Sequence, residues 1–169
     1  MKLTTLLEET LEAWAYTRQG VIDEVENLSE KGLQLRPKPK ARTGAELAFH
    51  IVEVGLMWCG ELTRPDGDFR RQGFDDFLRE YAGELRPPRS RRALVRMLEQ
   101  THADGARRLR QAGELGLVQL IRRFDGKRGT RLAWMNHGIA HEEYHRGQLA
   151  LYARLAGRTP ALTRLIEGG

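Results

Sequence analysis

The stretch His141-Glu142-Glu143-Tyr144-His145 sets two imidazoles four residues apart, with a carboxylate directly after the first. On a helix, a step of four advances about forty degrees around the axis and leaves the side chains roughly 5–6 Å apart at Cβ, near enough to share one ion. The same pattern, HExxH, is the zinc site of metalloproteases, in which the Glu is the general base. His137 extends the series by one more step of four. Neutral imidazole suits zinc, nickel or copper, and two such ligands from one helix need a third group from elsewhere. His50 is the only histidine in the first half of the chain, three residues past Leu47 and four before Val54. That spacing puts it on the apolar side of its own helix and makes it the candidate third ligand.

Taken singly, each of these histidines reads as a hydrogen-bonded core residue. Three converging imidazoles without an ion would be costly to bury, because each brings polar nitrogens that need partners. His137 is rotated away from His145 and is expected in a supporting or surface role, and His102, beside Leu98, reads as structural. The protease reading lacks its third ligand: the only acid after His145 is Glu167, beyond Gly157 and Pro160. In the extended HExxHxxGxxH form, Gly147 falls one residue early and Leu151 stands where the third His belongs. Nor is there a sheet edge along which to lay an extended peptide. Glu142 and Tyr144 stay as neighbouring candidates for a general base or proton relay.

Four long segments with helical periodicity must position these groups. Leu7, Leu11, Trp14, Val21, Val25 and Leu28 form a stripe with one polar break at Arg18, and the run SEKGLQLRPKPKAR ends that first helix. Thr5 and Glu8 have capping-box spacing at its start. A second helix opens at Thr43, with Glu46 in capping-box position, and carries Leu47, Ile51, Val54, Trp58 and Leu62 with His50 among them. Residues 63–88 hold Pro65, Gly67, Gly73, Gly83, Pro87 and Pro88, so they read as a long excursion with one short helix at FDDFLREYA. The third helix, from Ser90 to about Ala112, is lined by Leu94, Leu98, Gly105 and Leu109. Residues 113–129 are weakly patterned, with VQLIRRF as a short extended piece, and GKRGT fails as a phosphate loop because Arg128 replaces the Ser or Thr. The fourth helix runs from Thr130 to about Ala156, stopped by Gly157 and Pro160. Four such helices pack as an all-α four-helix bundle, and residues 1–169 are expected to form one domain.

Composition narrows the function classes. Cys59 is the single cysteine, which excludes an internal disulfide and any Cys-based zinc or iron–sulfur site, so a metal must use His or carboxylate. It lacks a nearby base and is expected to pack beside Trp58. No apolar run approaches bilayer length, and Glu8 and Glu9 interrupt the N-terminal leucines, so a cytoplasmic location without membrane association is expected. The net charge is +5 and 23 of the 28 basic residues are Arg, but Asp and Glu are scattered among them. That favours a solvated surface over a nucleic-acid groove.

The segment HEEYHRGQLALYARLAGRTP is similar to the last-helix signature of the DinB-like (DinB/YfiT-like) metalloenzyme family: His-x-x-x-His, then Arg-Gly-Gln, an apolar helix and a Gly and Pro exit. LRPKPKARTGAELAFHIVEV resembles the same family's second segment, an Arg-Pro loop leading to a helix with a single inward His. The resemblance implies up-down-down-up connectivity, a homodimer, and a divalent ion, zinc or nickel, on His50, His141 and His145 with water in an open position. It implies a metal-dependent enzyme acting on a small molecule, either a hydrolase or a transferase of a low-molecular-weight thiol. The excursion at 63–88 and the segment 113–129 are the parts expected to border the substrate pocket. The rival is a non-catalytic bundle whose metal, if any, is structural; a structural site is closed by a fourth protein ligand, as His137 could be.

Overall fold

A computed structural model describes residues 4–168. Along the chain lie α1 (Leu6–Asn27), α2 (Glu30–Leu33), α3 (Gly44–Thr63), α4 (Phe74–Ala82), α5 (Arg91–Leu117), β1 (Leu120–Arg122), β2 (Arg128–Thr130), α6 (Arg131–Leu155) and α7 (Ala161–Ile166). The four long helices form the bundle, with α1 and α3 each packed between α5 and α6. Their directions follow from which ends meet. Glu8 at the start of α1 pairs with Arg110 late in α5, while Arg91 at the start of α5 reaches the Leu28 carbonyl after α1, so these two are antiparallel. Asn27 bonds the Thr159 carbonyl just beyond α6, which makes α1 and α6 parallel. Arg131 at the start of α6 holds the Leu62 carbonyl at the end of α3, and Tyr152 near the end of α6 holds the Arg42 carbonyl before α3. The order is therefore up, down, down, up.

Local sequence sets the helix starts. Thr43 and Glu46 close a full capping box, each side chain bonded to the other's backbone N–H. Thr5, Ser90 and Thr130 each accept a bond from the N–H three residues on. The polar run after α1 contains a single helical turn, α2, because Ser29 caps it and Leu33 is buried; four residues are too few to show a period. α5 continues past Ala112 to Leu117 across a break at Gly113, whose φ of 72° suits glycine.

Two apolar clusters fill the bundle. One gathers Trp14, Trp58, Leu62, Phe69, Phe77, Leu109 and Met135, the other Val21, Val25, Leu28, Ile51, Leu98 and Leu149. Between them on the helices lie polar groups: Arg18 on α1, Thr101 and His102 on α5, and His141, Glu142 and His145 on α6. The crossover from α3 to α5 is pinned by Glu61, fully buried, whose carboxylate accepts from the Asp68 N–H at 2.6 Å, Tyr81 at 2.7 Å and Arg71 at 2.8 Å. The β1–β2 hairpin turns at Asp125-Gly126 and ties to the crossover through the Phe69 N–H and the Arg122 carbonyl. The hairpin and the first part of the crossover thus lie together where α3 ends, and the crossover then runs back along the bundle until Pro87 and Pro88 reach the start of α3.

Candidate metal centre

His50 projects from the middle of α3, and His141 and His145 from successive turns of α6, into the same space between these packed helices. Each offers one ring nitrogen, and the three nitrogens lie within 4.8 Å of one another. Ring centroids stand 5.4 Å (His50 to His141), 5.1 Å (His50 to His145) and 4.4 Å (His141 to His145) apart. Burial of the rings, helped by the positive charge of Arg42, lowers their affinity for protons. His50 drops from the usual 6.5 to about 3, His141 to about 4, and His145 is lowered as well. All three are therefore neutral near pH 7, the form that donates a lone pair to a metal.

The hydrogen bonds tell which nitrogens are offered. His145 Nδ1 lies 2.7 Å from Gln148 Oε1, an acceptor that fixes the proton on Nδ1 and leaves Nε2 with its lone pair. That Nε2 faces Nε2 of His141 at 3.0 Å. His141 Nδ1 is buried with no partner among the described residues. Two facing ring nitrogens with a third ring beside them fit a divalent ion better than a closed hydrogen-bond network. Among the described residues no Cys, Asp or Glu joins the cluster, so a position would remain open for a ligand from solution.

Glu142 lies elsewhere. One residue on from His141 turns the helix by about a hundred degrees, and its carboxylate, 0% exposed, faces α1. There it accepts from Trp14 Nε1 at 2.9 Å and from both Arg18 Nε at 2.9 Å and Nη2 at 2.6 Å. Arg18, 2% exposed, spends its remaining donor on the Leu98 carbonyl at 2.8 Å and the Thr101 hydroxyl. A carboxylate whose oxygens are held this way is not free to take a proton at the histidine site, so Glu142 is not a general base there. The polar break in the first helix is the partner of that Glu.

The other candidates also find places. His137 is exposed, stacked on Trp134 at 4.3 Å, and outside the cluster. Tyr144 is 65% exposed with its ring 5.1 Å from that of His145. His102 packs edge-on against Trp14 at 4.3 Å. Cys59 is buried, and burial raises its thiol pKa well above the ordinary value, which rules it out as a nucleophile near neutral pH.

Two openings meet the histidines from different sides. A cavity of about 240 Å³ reaches His141 and His137 and is walled by Trp58, Phe69, Phe74, Phe124 and Trp134. Phe69 and Phe74 come from the crossover, and Phe124 from the hairpin. A wider groove of about 730 Å³ reaches His145 and carries Lys40, Arg42, Tyr144, Gln148 and Tyr152. Gln148 and Arg42 had no signal as site residues in composition or periodicity; Gln148 stood in the Arg-Gly-Gln of the last-helix signature and three residues from His145, but with no role attached. The aromatic wall could not be read because it is assembled from segments without a period.

Comparison with known proteins agrees with this geometry. The sequence matches the DinB family over residues 1–167. YfiT from Bacillus subtilis, described as "a probable metal-dependent hydrolase with an unusual four-helix bundle topology", superposes with a TM-score of 0.70 at 11% identity, covering 94% of this chain and 92% of that one. A DinB-like protein from the same organism gives 0.67 at 18% identity over 89% and 93%, and one from Bacillus cereus 0.66 at 21% over 90% and 94%. At such identities the superpositions speak for the fold. No curated protein gives a significant match. Helix order, the inward histidine of α3, the HxxxH pair of α6 and a match across nearly the whole sequence lead to one assignment: the chain belongs to the DinB family.

Proposed function

We propose that the protein is a divalent-metal-dependent hydrolase of a small substrate, with His50, His141 and His145 as the ligands of one zinc or nickel ion. The observation that carries this reading is the convergence of three neutral imidazoles, with no fourth protein group among the described residues, where two openings meet. A bound divalent ion supplies Lewis acidity and brings the pKa of a water, or of a thiol, down toward neutrality. The chain's own residues do the rest. Gln148 holds the His145 ring in register, burial with some help from Arg42 keeps the imidazoles unprotonated, Arg42 draws anions into the groove, and the aromatic wall keeps bulk water from one side. YfiT, described as a probable metal-dependent hydrolase, supports the reaction class.

Transfer of a low-molecular-weight thiol to an electrophile is the second reading, favoured by the presence of two openings of different character. Lys40 and Arg42 suit an anionic thiol in the groove, and the apolar cavity suits its acceptor. Elemental analysis of untagged protein tests the shared core of both readings: one ion per chain in the parent, and loss in His145→Ala. Hydrolysis of a small ester panel without added thiol then separates the reactions, since the transferase turns over only when thiol is present. A tightly held ion with no turnover in either condition returns the protein to the class of binding bundles. Assembly as a homodimer belongs to the same proposal, and light scattering checks it.

A further inference from the structure

The turn that leads into α3 is latched at three consecutive residues. Arg36 donates to the Ala41 carbonyl, the hydroxyl of the buried Tyr152 donates to the Arg42 carbonyl at 2.6 Å, and the Thr43 N–H donates to Glu46 Oε2 at 2.8 Å. Tyr152 stands seven residues after His145 on α6, and Thr43 caps the helix that carries His50 seven residues on. The backbone of Arg42 is thereby held against both helices that bear the histidines, and its exposed side chain projects from a fixed point.

That side chain has no anion of its own. Arg36, six residues earlier, spends its guanidinium on Glu46, whereas Arg42 pairs with no carboxylate among the described residues. Glu46 and Glu53 share the opening on its other side, but Glu46 is held by Arg36 and the Thr43 N–H, and Glu53 makes no ion pair with Arg42. The groove that Arg42 lines with Lys40, Gln148 and His145 contains no Asp or Glu. Its charge makes all three imidazoles harder to protonate, so the guanidinium lies within electrostatic reach of the whole cluster. A planar guanidinium offers parallel N–H groups that match the two oxygens of a carboxylate. A phosphate would call for further donors, and those of Thr43 and Glu46 at the start of α3 are spent within its own capping box.

We propose that Arg42 determines specificity by binding a carboxylate of the substrate in this groove, which sets the reacting group against the histidine cluster. That the carboxylate belongs to a substrate rests on the metal-dependent reading above; its binding to Arg42 does not, because none of those contacts requires an ion.

The test is a titration of the metal-free, ¹⁵N-labelled full chain with benzoate and with benzamide, which has nearly the same shape and no charge. Benzoate should bind roughly five-fold more tightly, the upper end for an exposed ion pair, should move the Arg42 Nε–H and Gln148 side-chain signals, and should weaken as sodium chloride is raised. In Arg42→Gln the two ligands should bind alike, while Lys40→Gln should keep most of the preference. Equal affinities in the parent, a preference that survives Arg42→Gln, shifts confined to other arginines, or no binding of benzoate would each overturn the proposal. Equal affinities in protein that holds one ion per chain sink this inference and leave the metal-dependent reading standing. A preference that Arg42→Gln abolishes, in protein that takes up no ion, upholds the carboxylate site and sinks the catalytic reading with its substrate clause.

Discussion

Replacing Glu142 separates two roles that a HExxH pattern could assign to it. As a general base it would be dispensable for folding, and its loss would be felt in turnover alone. As half of a buried ion pair it should matter chiefly for stability. The structure gives the second: Glu142 is 0% and Arg18 2% exposed, and three hydrogen bonds from Arg18 and Trp14 end on the carboxylate. Removing one partner of such a pair strands a buried charge and costs about 3–5 kcal/mol. For a chain of this length each kcal/mol shifts Tm by about 2–4 °C, so Glu142→Leu should melt roughly 6–20 °C below the parent.

A double-mutant cycle makes the argument refutable. Arg18→Met together with Glu142→Leu removes both charges and leaves hydrocarbon of similar volume, a replacement that is often close to neutral. Trp14 Nε1 loses its acceptor in the double variant and retains a penalty of about 1–3 kcal/mol. The double variant should therefore be more stable than Glu142→Leu alone, with a coupling energy of 0.5–3 kcal/mol, roughly the range for residues in one network. Urea titrations of the four proteins give the cycle, and metal content read in parallel should stay at the parental level. Additive losses, or an unchanged melt with metal lost, would show that Glu142 faces the histidines instead of α1.

Four further outcomes are expected. Gln148→Leu should weaken metal binding roughly 10–100-fold without unfolding the chain, because the acceptor that orients His145 is gone; competition against a chromophoric chelator measures it. In metal-free protein the pKa values of His50 (about 3), His141 (about 4) and His102 (about 4) all lie below the unfolded value of 6.5. The unfolded chain then binds more protons than the fold between those limits, so stability is full above about pH 6.5 and falls as pH drops toward 4; a flat urea midpoint between pH 7 and 4.5 contradicts this. Gly105→Ala should destabilise by about 1–3 kcal/mol, since its Cβ would lie 2.6 Å from the Trp14 ring and 2.8 Å from Cys59 Sγ. Gly147→Ala, with nothing within 4 Å and in mid-helix, should stabilise by about 0.5–1 kcal/mol in thermal melts.

The fold was legible where side chains repeat with a helical period or cap an end. Thr43 with Glu46, Thr130, and the stripe from Leu7 to Leu28 mark helices because backbone N–H groups and an apolar face impose those residue types locally. The histidine cluster was legible for the same reason: a step of four on α6 and an inward position on α3 are both statements about helix faces. Bundle direction is different. It depends on which helix ends meet, through Arg91, Arg110, Arg131 and Tyr152, and none of those pairings has a local signature.

Arg18 marks the limit of reading by pattern. A single Arg interrupting an apolar stripe is read as a fault in the helix's buried face, although the stripe is continuous and the guanidinium is part of it. What makes burial tolerable is Glu142, 124 residues away on a parallel helix. Helical rotation explains why the same five-residue motif serves both: His141 and His145, four apart, face α3, while Glu142, one step on, faces α1. One turn of α6 therefore does two jobs, turning two imidazoles to one neighbour and a counterion to the other. In an isolated sequence those jobs look like one motif, and only the position of Arg18 in the opposite stripe says that they are two.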